Sequence, residues 1–201
     1  GSITLEDKVV GLKSFRDELF IFCQNSIFKL QNINNASTVA VVPVTKNVGC
    51  LDGQTIQEIA GDLIFLAPDG FRTVAGTARI GDVELGTISQ AIQPIINTIA
   101  NGADTFQFSS VVLRNKSQYR MFYSKVSDSQ FVSRGVIGTL RRNGFEWSET
   151  LGISAPAITS GFTSSGVEKA YHGDKDGKIY NHNTGNSFNG TSIEAEYQSP
   201  D

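Results

Sequence analysis

"GDLIFLAPDGF", Gly61 to Phe71, reads as one complete β-hairpin. The unbroken apolar run from Leu63 to Ala67 suits a strand buried in a sheet, Pro68-Asp69-Gly70 supplies a turn, and a new strand opens at Phe71. Gly70 offers the positive φ that a tight turn demands. A lone hairpin is marginal in water, so this one requires further strands beside it.

The same wording recurs on both sides. "DELFIFCQNSIFKL" (Asp17 to Leu30) sets an aromatic and aliphatic strand before a turn at Asn25-Ser26, with the next strand opening at Ile27-Phe28. "GVEKAYHGDKDGKIY" (Gly166 to Tyr180) turns at Asp176-Gly177 ahead of Ile179-Tyr180, and a weaker copy, Ser117 to Ser133, turns near Asp128-Ser129. The turns at 25, 69, 128 and 176 lie 44, 59 and 48 residues apart. Short strands recurring every ~40 to 50 residues are the signature of propeller blades. The expected fold is all-β: a β-propeller, or part of a larger ring, of about four antiparallel blade units at 8–45, 46–103, 104–152 and 153–199.

Within the units, strands are expected at Lys8 to Phe15, Leu19 to Cys23, Ile27 to Leu30 and Thr38 to Val44, then at Thr55 to Ile59 before the quoted hairpin. Gly49 and Gly53 suggest sharp backbone bends leading into the second unit. The third unit carries Val111 to Leu113, Tyr119 to Tyr123, Phe131 to Leu140 and a hairpin at Asn143-Gly144; the fourth carries Ala157 to Phe162 and an outgoing strand, Ile193 to Tyr197. The strand pattern breaks near 88–100, where Pro94 suits the first turn of a short helix running to about Ala100. Ile95, Ile96 and Ile99 then point inward and Gly102 ends the helix, which reads as a plug on a blade in preference to a partner-binding element.

Composition narrows the function classes. The 201 residues carry a formal charge of −3, which recommends no phosphate backbone as a lasting partner. Charged residues make up 18%, below the ~25% of typical soluble domains, as suits a β protein that covers much of its surface with partners. No run approaches the ~18 apolar residues of a membrane span, so no membrane partner is expected. Gly1-Ser2 opens the chain and Met121 is its one methionine, which suggests a piece of a longer polypeptide.

Candidate chemistry is sparse. Cys23 lies in an apolar strand and reads as a small buried hydrophobe ahead of a disulfide or reactive thiol, and Cys50 has no ligand-like spacing to it. Asp174-x-Asp176-Gly177 resembles the opening of a calcium loop but lacks the later oxygen donors, so a hairpin turn is the preferred reading. His172 and His182, ten residues apart, are not brought to a common ligand geometry by spacing alone. Arg134, Arg141 and Arg142 lie among Asp128, Glu146 and Glu149 and read as a solvated mixed-charge face. The chain has no G-x-S-x-G, H-E-x-x-H, P-loop or G-x-G-x-x-G wording. No catalytic, cofactor-binding or metal-ligating residues are assigned, no cofactor is expected, binding residues stay unassigned, and enzymatic function is not expected.

"VGCLDGQTIQEIAGDLIFLAPDGFRTV" (Val48 to Val74), followed by "TISQAIQPIINTI" (Thr87 to Ile99), resembles the blade-plus-helix element of β-propeller proteins in tailed-phage virions. "DGKIYNHNTGNSFNGTSIEAEYQSP" is similar to the terminal blade of that group, although Gly49 to Thr55 reads GCLDGQT where the group carries Pro-Arg-Ser. The resemblance spans most of the chain and is to tail nozzle, hub and head-to-tail stabilisation proteins of short-tailed phages. It implies a non-catalytic structural part of the virion tail or neck, assembled in the host cytoplasm, that docks other virion proteins. It further implies a symmetric homo-oligomeric ring with transient contact to passing DNA. The alternative is a receptor- or glycan-binding propeller at the tail surface, which clustered aromatics such as Trp147 with Tyr171 or Tyr180 would favour.

Overall fold

A computed structural model describes residues 2–75, 87–127, 130–188 and 190–192. The expected turn at 128–129 and the outgoing strand Ile193 to Tyr197 lie outside the described residues.

Each sheet is an antiparallel meander of strands consecutive in the chain. The first holds β1 (Val9–Phe15), β2 (Glu18–Cys23), β3 (Ile27–Gln31) and β4 (Ala40–Thr45). The second holds β5 (Gln57–Ile59), β6 (Asp62–Ala67) and β7 (Gly70–Thr73), and is followed by a short helix, α1 (Gln93–Asn101). The third holds β8 (Gln107–Leu113), β9 (Gln118–Ser127), β10 (Gln130–Arg141) and β11 (Gly144–Leu151). The fourth holds β12 (Ala157–Phe162), β13 (Glu168–Gly173) and β14 (Ile179–Asn181), and a small hairpin, β15 (Ser187–Phe188) with β16 (Thr191–Ser192), comes after it.

The leading edges of successive sheets meet. β12 packs along β8, β8 packs on β5 and on the 3₁₀ turn Gly53–Thr55, and β1 packs on that same turn. Meander sheets placed one after another with their first strands side by side are the arrangement of β-propeller blades. Three of the recurrences seen in the sequence have a structural counterpart: the turns between β2 and β3, β6 and β7, and β13 and β14 are each the second turn of their sheet.

β6 explains the continuous apolar wording of the quoted stretch. Leu63, Phe65 and Ala67 enter a core shared with Phe20, Phe22 and Ile27 of the first sheet. Ile64 and Leu66 enter a second core with Phe108, Tyr119, Met121 and Val136 of the third sheet. A strand covered on both faces has no polar face to show, hence five consecutive apolar residues instead of alternation. Ala67 pairs with Gly70 across Pro68-Asp69, and Gly70 sits at φ +145°, with the Ser89 hydroxyl so near that a Cβ would not fit.

At the trailing edge of the second sheet, residues 88 and 89 bond to the backbone of β7. The Phe71 amide donates to Ser89 Oγ at 2.9 Å and its carbonyl accepts the Ile88 amide at 2.9 Å. α1 follows, with Pro94 in its first turn, Ile96 and Ile99 fully buried in the second core, Ile95 half-buried and Gly102 at the C-cap.

Three local readings need correction. Thr55 does not open a strand: Asp52 caps the 3₁₀ turn by accepting from the Gln54 amide at 2.7 Å, and pairing starts at Gln57. Gly53 opens the 3₁₀ turn, as a sharp bend would, but neither Gly49 nor Gly53 is required there by a positive φ. They are places of backbone contact, since a Cβ on Gly53 would lie 2.5 Å from Val10 O and one on Gly49 would lie 2.0 Å from Gln24 O. The first turn is also displaced by one residue: the Cys23 amide donates to Ser26 O at 2.8 Å, so Gln24-Asn25 are its central residues.

Thr55 ties three elements together. Its hydroxyl donates to Asp52 O at 2.6 Å and accepts from the Leu66 amide at 3.2 Å, while its carbonyl accepts from the Tyr119 hydroxyl at 2.9 Å. Thr55→Val keeps the shape and strands the buried Leu66 N–H. It is expected to lower unfolding free energy by about 1 to 3 kcal/mol, read as a shifted denaturant midpoint at unchanged slope.

Candidate functional site

The concentration of buried polar groups lies between the third and fourth sheets. The first and second sheets meet through apolar side chains; this junction is polar. Glu168 on β13 accepts the amides of Arg114 and Asn115 at 3.1 and 2.9 Å, Ser109 donates to Ala155 O at 2.6 Å, and Ser160 donates to Val112 O at 3.2 Å.

At its centre Arg120 on β9, His172 on β13 and His182 beyond β14 form a chain of contacts. Their exposures are 6%, 3% and 8%. The His182 amide donates to Ala170 O at 2.8 Å, which continues the β13–β14 ladder and puts His182 diagonal to His172 on one face. Arg120 Nη1 lies 3.1 Å from His182 Nδ1, and His182 Nε2 lies 2.7 Å from His172 Nδ1. A guanidinium only donates, so His182 Nδ1 accepts. The His182 proton is therefore on Nε2 and is donated to His172 Nδ1, which leaves the His172 proton on Nε2. Tyr180 stacks on His172 with centroids 5.0 Å apart, and Phe122 meets the His182 ring edge-on at 5.9 Å.

Sequence spacing set these histidines apart; the structure brings them into direct hydrogen bonding. Burial depresses the pKa of His172, with Asp174 opposing, and burial together with His172 and Arg120 depresses His182 to about 4. Both rings are neutral at pH 7. Their facing nitrogens are spent on each other and on a cation, which disfavours a metal ion between them, and no group of three metal-ligating side chains occurs among the described residues.

The pH dependence follows from the sign of these shifts. Depressed folded-state values mean that the unfolded chain takes up protons first as the pH falls, so the stabilisation is full above ~6.5 and declines toward 4. A loss of about 2 kcal/mol across that window is expected, allowing for solvent screening at the cleft mouth. Thermal unfolding between pH 7 and 4 checks it, and His182→Gln flattens the profile.

A cleft of about 200 Å³ opens on this network, walled by Ile137 and Ile153 and reaching Asn181, Asn183 and Thr184. Arg120 also donates from Nε and Nη2 to Gln118 Oε1 at 3.3 and 2.7 Å, and from Nη2 to Asn183 Oδ1 at 3.1 Å. The arrangement can hold a small polar group against a buried cation. Among the described residues that line it, none is a nucleophile aligned with a base.

The other residues singled out from the sequence are accounted for separately. Asp174 Oδ1 accepts the amides of Asp176 and Lys178 at 2.9 and 2.8 Å, closing the β13–β14 loop as a turn. Those backbone bonds hold its pKa below the usual carboxylate range. Arg134 pairs with Glu149 at 3.2 Å and Arg141 with Glu146 at 3.3 Å on the exposed face of the third sheet. Trp147 is not at a loop face: it stacks on Phe71 at 4.5 Å and donates from Nε1 to Ile88 O at 2.6 Å. Cys23 and Cys50 are free and buried, joined through the Cys50 amide to Cys23 O at 2.9 Å, and burial pushes the Cys50 thiol up to about 12.

No family model matches the chain, and no curated protein matches it. Among solved structures, the crystal structure of the N-terminal domain of Nup159 aligns with a TM-score of 0.39 at 10% identity. The alignment covers 90% of this chain, which spans 64% of that one.

Proposed function

We propose that this chain is a non-catalytic structural component of a phage virion, placed in the tail or neck assembly through which DNA passes. The observation that carries the reading is the order of its wording: the blade-plus-helix stretch Val48 to Ile99, then the D-G-K-I-Y and T-G-N-S-F-N-G-T-S-I stretch that closes the chain. The geometry supports a mechanical role. Successive sheets lock through shared cores and backbone contact, which makes a rigid body.

Its partners in this reading are other virion proteins and further copies of itself in a symmetric ring. Large apolar side chains stand exposed on both outer sheets, Leu12 at 60% on the first and Phe162 and Ile179 at 61% and 78% on the fourth, and neighbours in an assembly would cover them. A chain of net charge −3 would let DNA pass without holding it. Among the described residues no helix is long and apolar enough to cross a membrane. Of the aromatics on which the glycan-binding alternative rests, Trp147 packs partly buried against the second core and Tyr180 stacks on His172, while Tyr171 is exposed.

The test is an electron-microscopy reconstruction of the particle, with this chain located by a fused tag. Density in a symmetric ring at the tail or neck is the expected result. Absence of the chain from purified particles would overturn the reading.

A further inference from the structure

We propose that the cleft between the third and fourth sheets is a binding site for a small oxyanion, a carboxylate in the first instance, held against Arg120. Two buried arginines make the contrast. Arg72, 5% exposed, pairs with Asp69, its Nε donating to Oδ1 at 3.0 Å. Arg120, 6% exposed, meets no carboxylate among the described residues; its partners are the neutral acceptors Gln118, Asn183 and His182. Buried charges are normally paired, and a guanidinium stays charged at any physiological pH.

The cleft supplies what an anion needs beside the charge. Four of the five guanidinium N–H groups are used, leaving one on Nη1. The hydrogen-bond chain leaves His172 Nε2–H as a further donor. Asn181, which lines the same cleft, has a buried side-chain oxygen with no partner, and turning the amide by half a revolution puts its NH₂ there as a donor. A volume of about 200 Å³ leaves ample room for a group the size of acetate. One buried positive charge balances a monoanion, which favours carboxylate over doubly charged phosphate.

The carboxylate has two possible sources, a free metabolite-sized acid or the acidic end of a docking polypeptide. Imidazole ¹⁵N and ¹H resonances of the intact chain report both, with sodium acetate replacing sodium chloride at constant ionic strength and pH 7. The expected result is a saturable shift of the His172 and His182 signals. Asp174 and Tyr180, the other titratable groups at His172, are unchanged by the salt exchange.

Parallel titrations with a short peptide bearing a free C-terminal carboxylate and with its amide separate the sources. Tighter saturation by the acid than by acetate, absent in the amide, assigns a docking segment. Equal saturation by acid and acetate assigns a free anion. Arg120→Gln is expected to abolish the shift. Should that variant fail to unfold cooperatively, Asn181→Leu, which leaves Arg120 in place, is expected to weaken acetate about tenfold. Shifts that rise linearly with salt, or that persist in folded Arg120→Gln, overturn the proposal.

Discussion

Phe65→Ala is expected to lower the unfolding free energy by about 3 to 5 kcal/mol. Phe65 is fully buried, and its ring meets Phe22 edge-on at a centroid distance of 5.3 Å. Truncation removes the transfer term of a whole aromatic ring and leaves a cavity that the surrounding strands cannot close, since β6 is held on its other face by Ile64 and Leu66 in the second core. Stability of small domains is itself only about 5 to 15 kcal/mol, so this one change removes a large fraction of it. The matched control is Phe162→Ala, at a ring that is 61% exposed, where a change within about ±0.5 kcal/mol is expected. Equilibrium denaturation of both variants measures the difference. A loss below 1 kcal/mol at Phe65 would mean that the first and second sheets do not share the core described.

The repeat was legible because its turns are written in residues with few alternatives. Pro68-Asp69-Gly70, Asn143-Gly144 and Asp176-Gly177 each announce a reversal, and the apolar runs beside them announce strands. Less legible was the reason for some glycines. Gly49 and Gly53 look the same in the sequence as glycines that need a positive φ, yet neither has one and their demand comes from the backbone of the first sheet. A constraint imposed across 25 or more residues leaves no local trace. Thr55 likewise reads as a β-branched strand residue, and only the Asp52 cap and the Leu66 amide reveal a turn.

One residue of register hid the candidate site. A two-residue turn at Asp176-Gly177 would pair His172 with Asn181 and send His182 to the opposite face. The observed loop runs from Asp174 to Lys178, pairs His172 with Tyr180 and puts both histidines on the same face. The cue was present in Asp174, whose carboxylate closes the longer loop in place of a two-residue turn. Arg120 had no cue at all: its partners come from β9 itself and from 62 and 63 residues further along the chain. Pairing registers therefore matter more to the site than composition does, while composition and turn wording suffice for the sheets.

Gly49→Ala, elsewhere among the mildest of substitutions, is expected to cost about 3 kcal/mol here, the upper part of the range for overpacking. Glycine to alanine normally stabilises by about 0.4 to 1 kcal/mol through the unfolded chain, provided the backbone can accept it. Gly49 meets the conformational condition but not the spatial one. An added Cβ would lie 2.0 Å from Gln24 O, 2.2 Å from Gln24 C and 2.5 Å from Asn25 N, all of them backbone atoms that no side-chain rotation can remove. Relief requires the β2–β3 turn to withdraw, which strains the bonds from the Cys50 amide to Cys23 O and from the Cys23 amide to Ser26 O. Gly161→Ala is the internal reference: nothing lies within 4 Å of its Cβ position, and a neutral or slightly stabilising effect is expected. Thermal melts of the two variants, run side by side, should move in opposite directions or differ by several degrees, and equal melting temperatures would refute the close approach of the first two sheets.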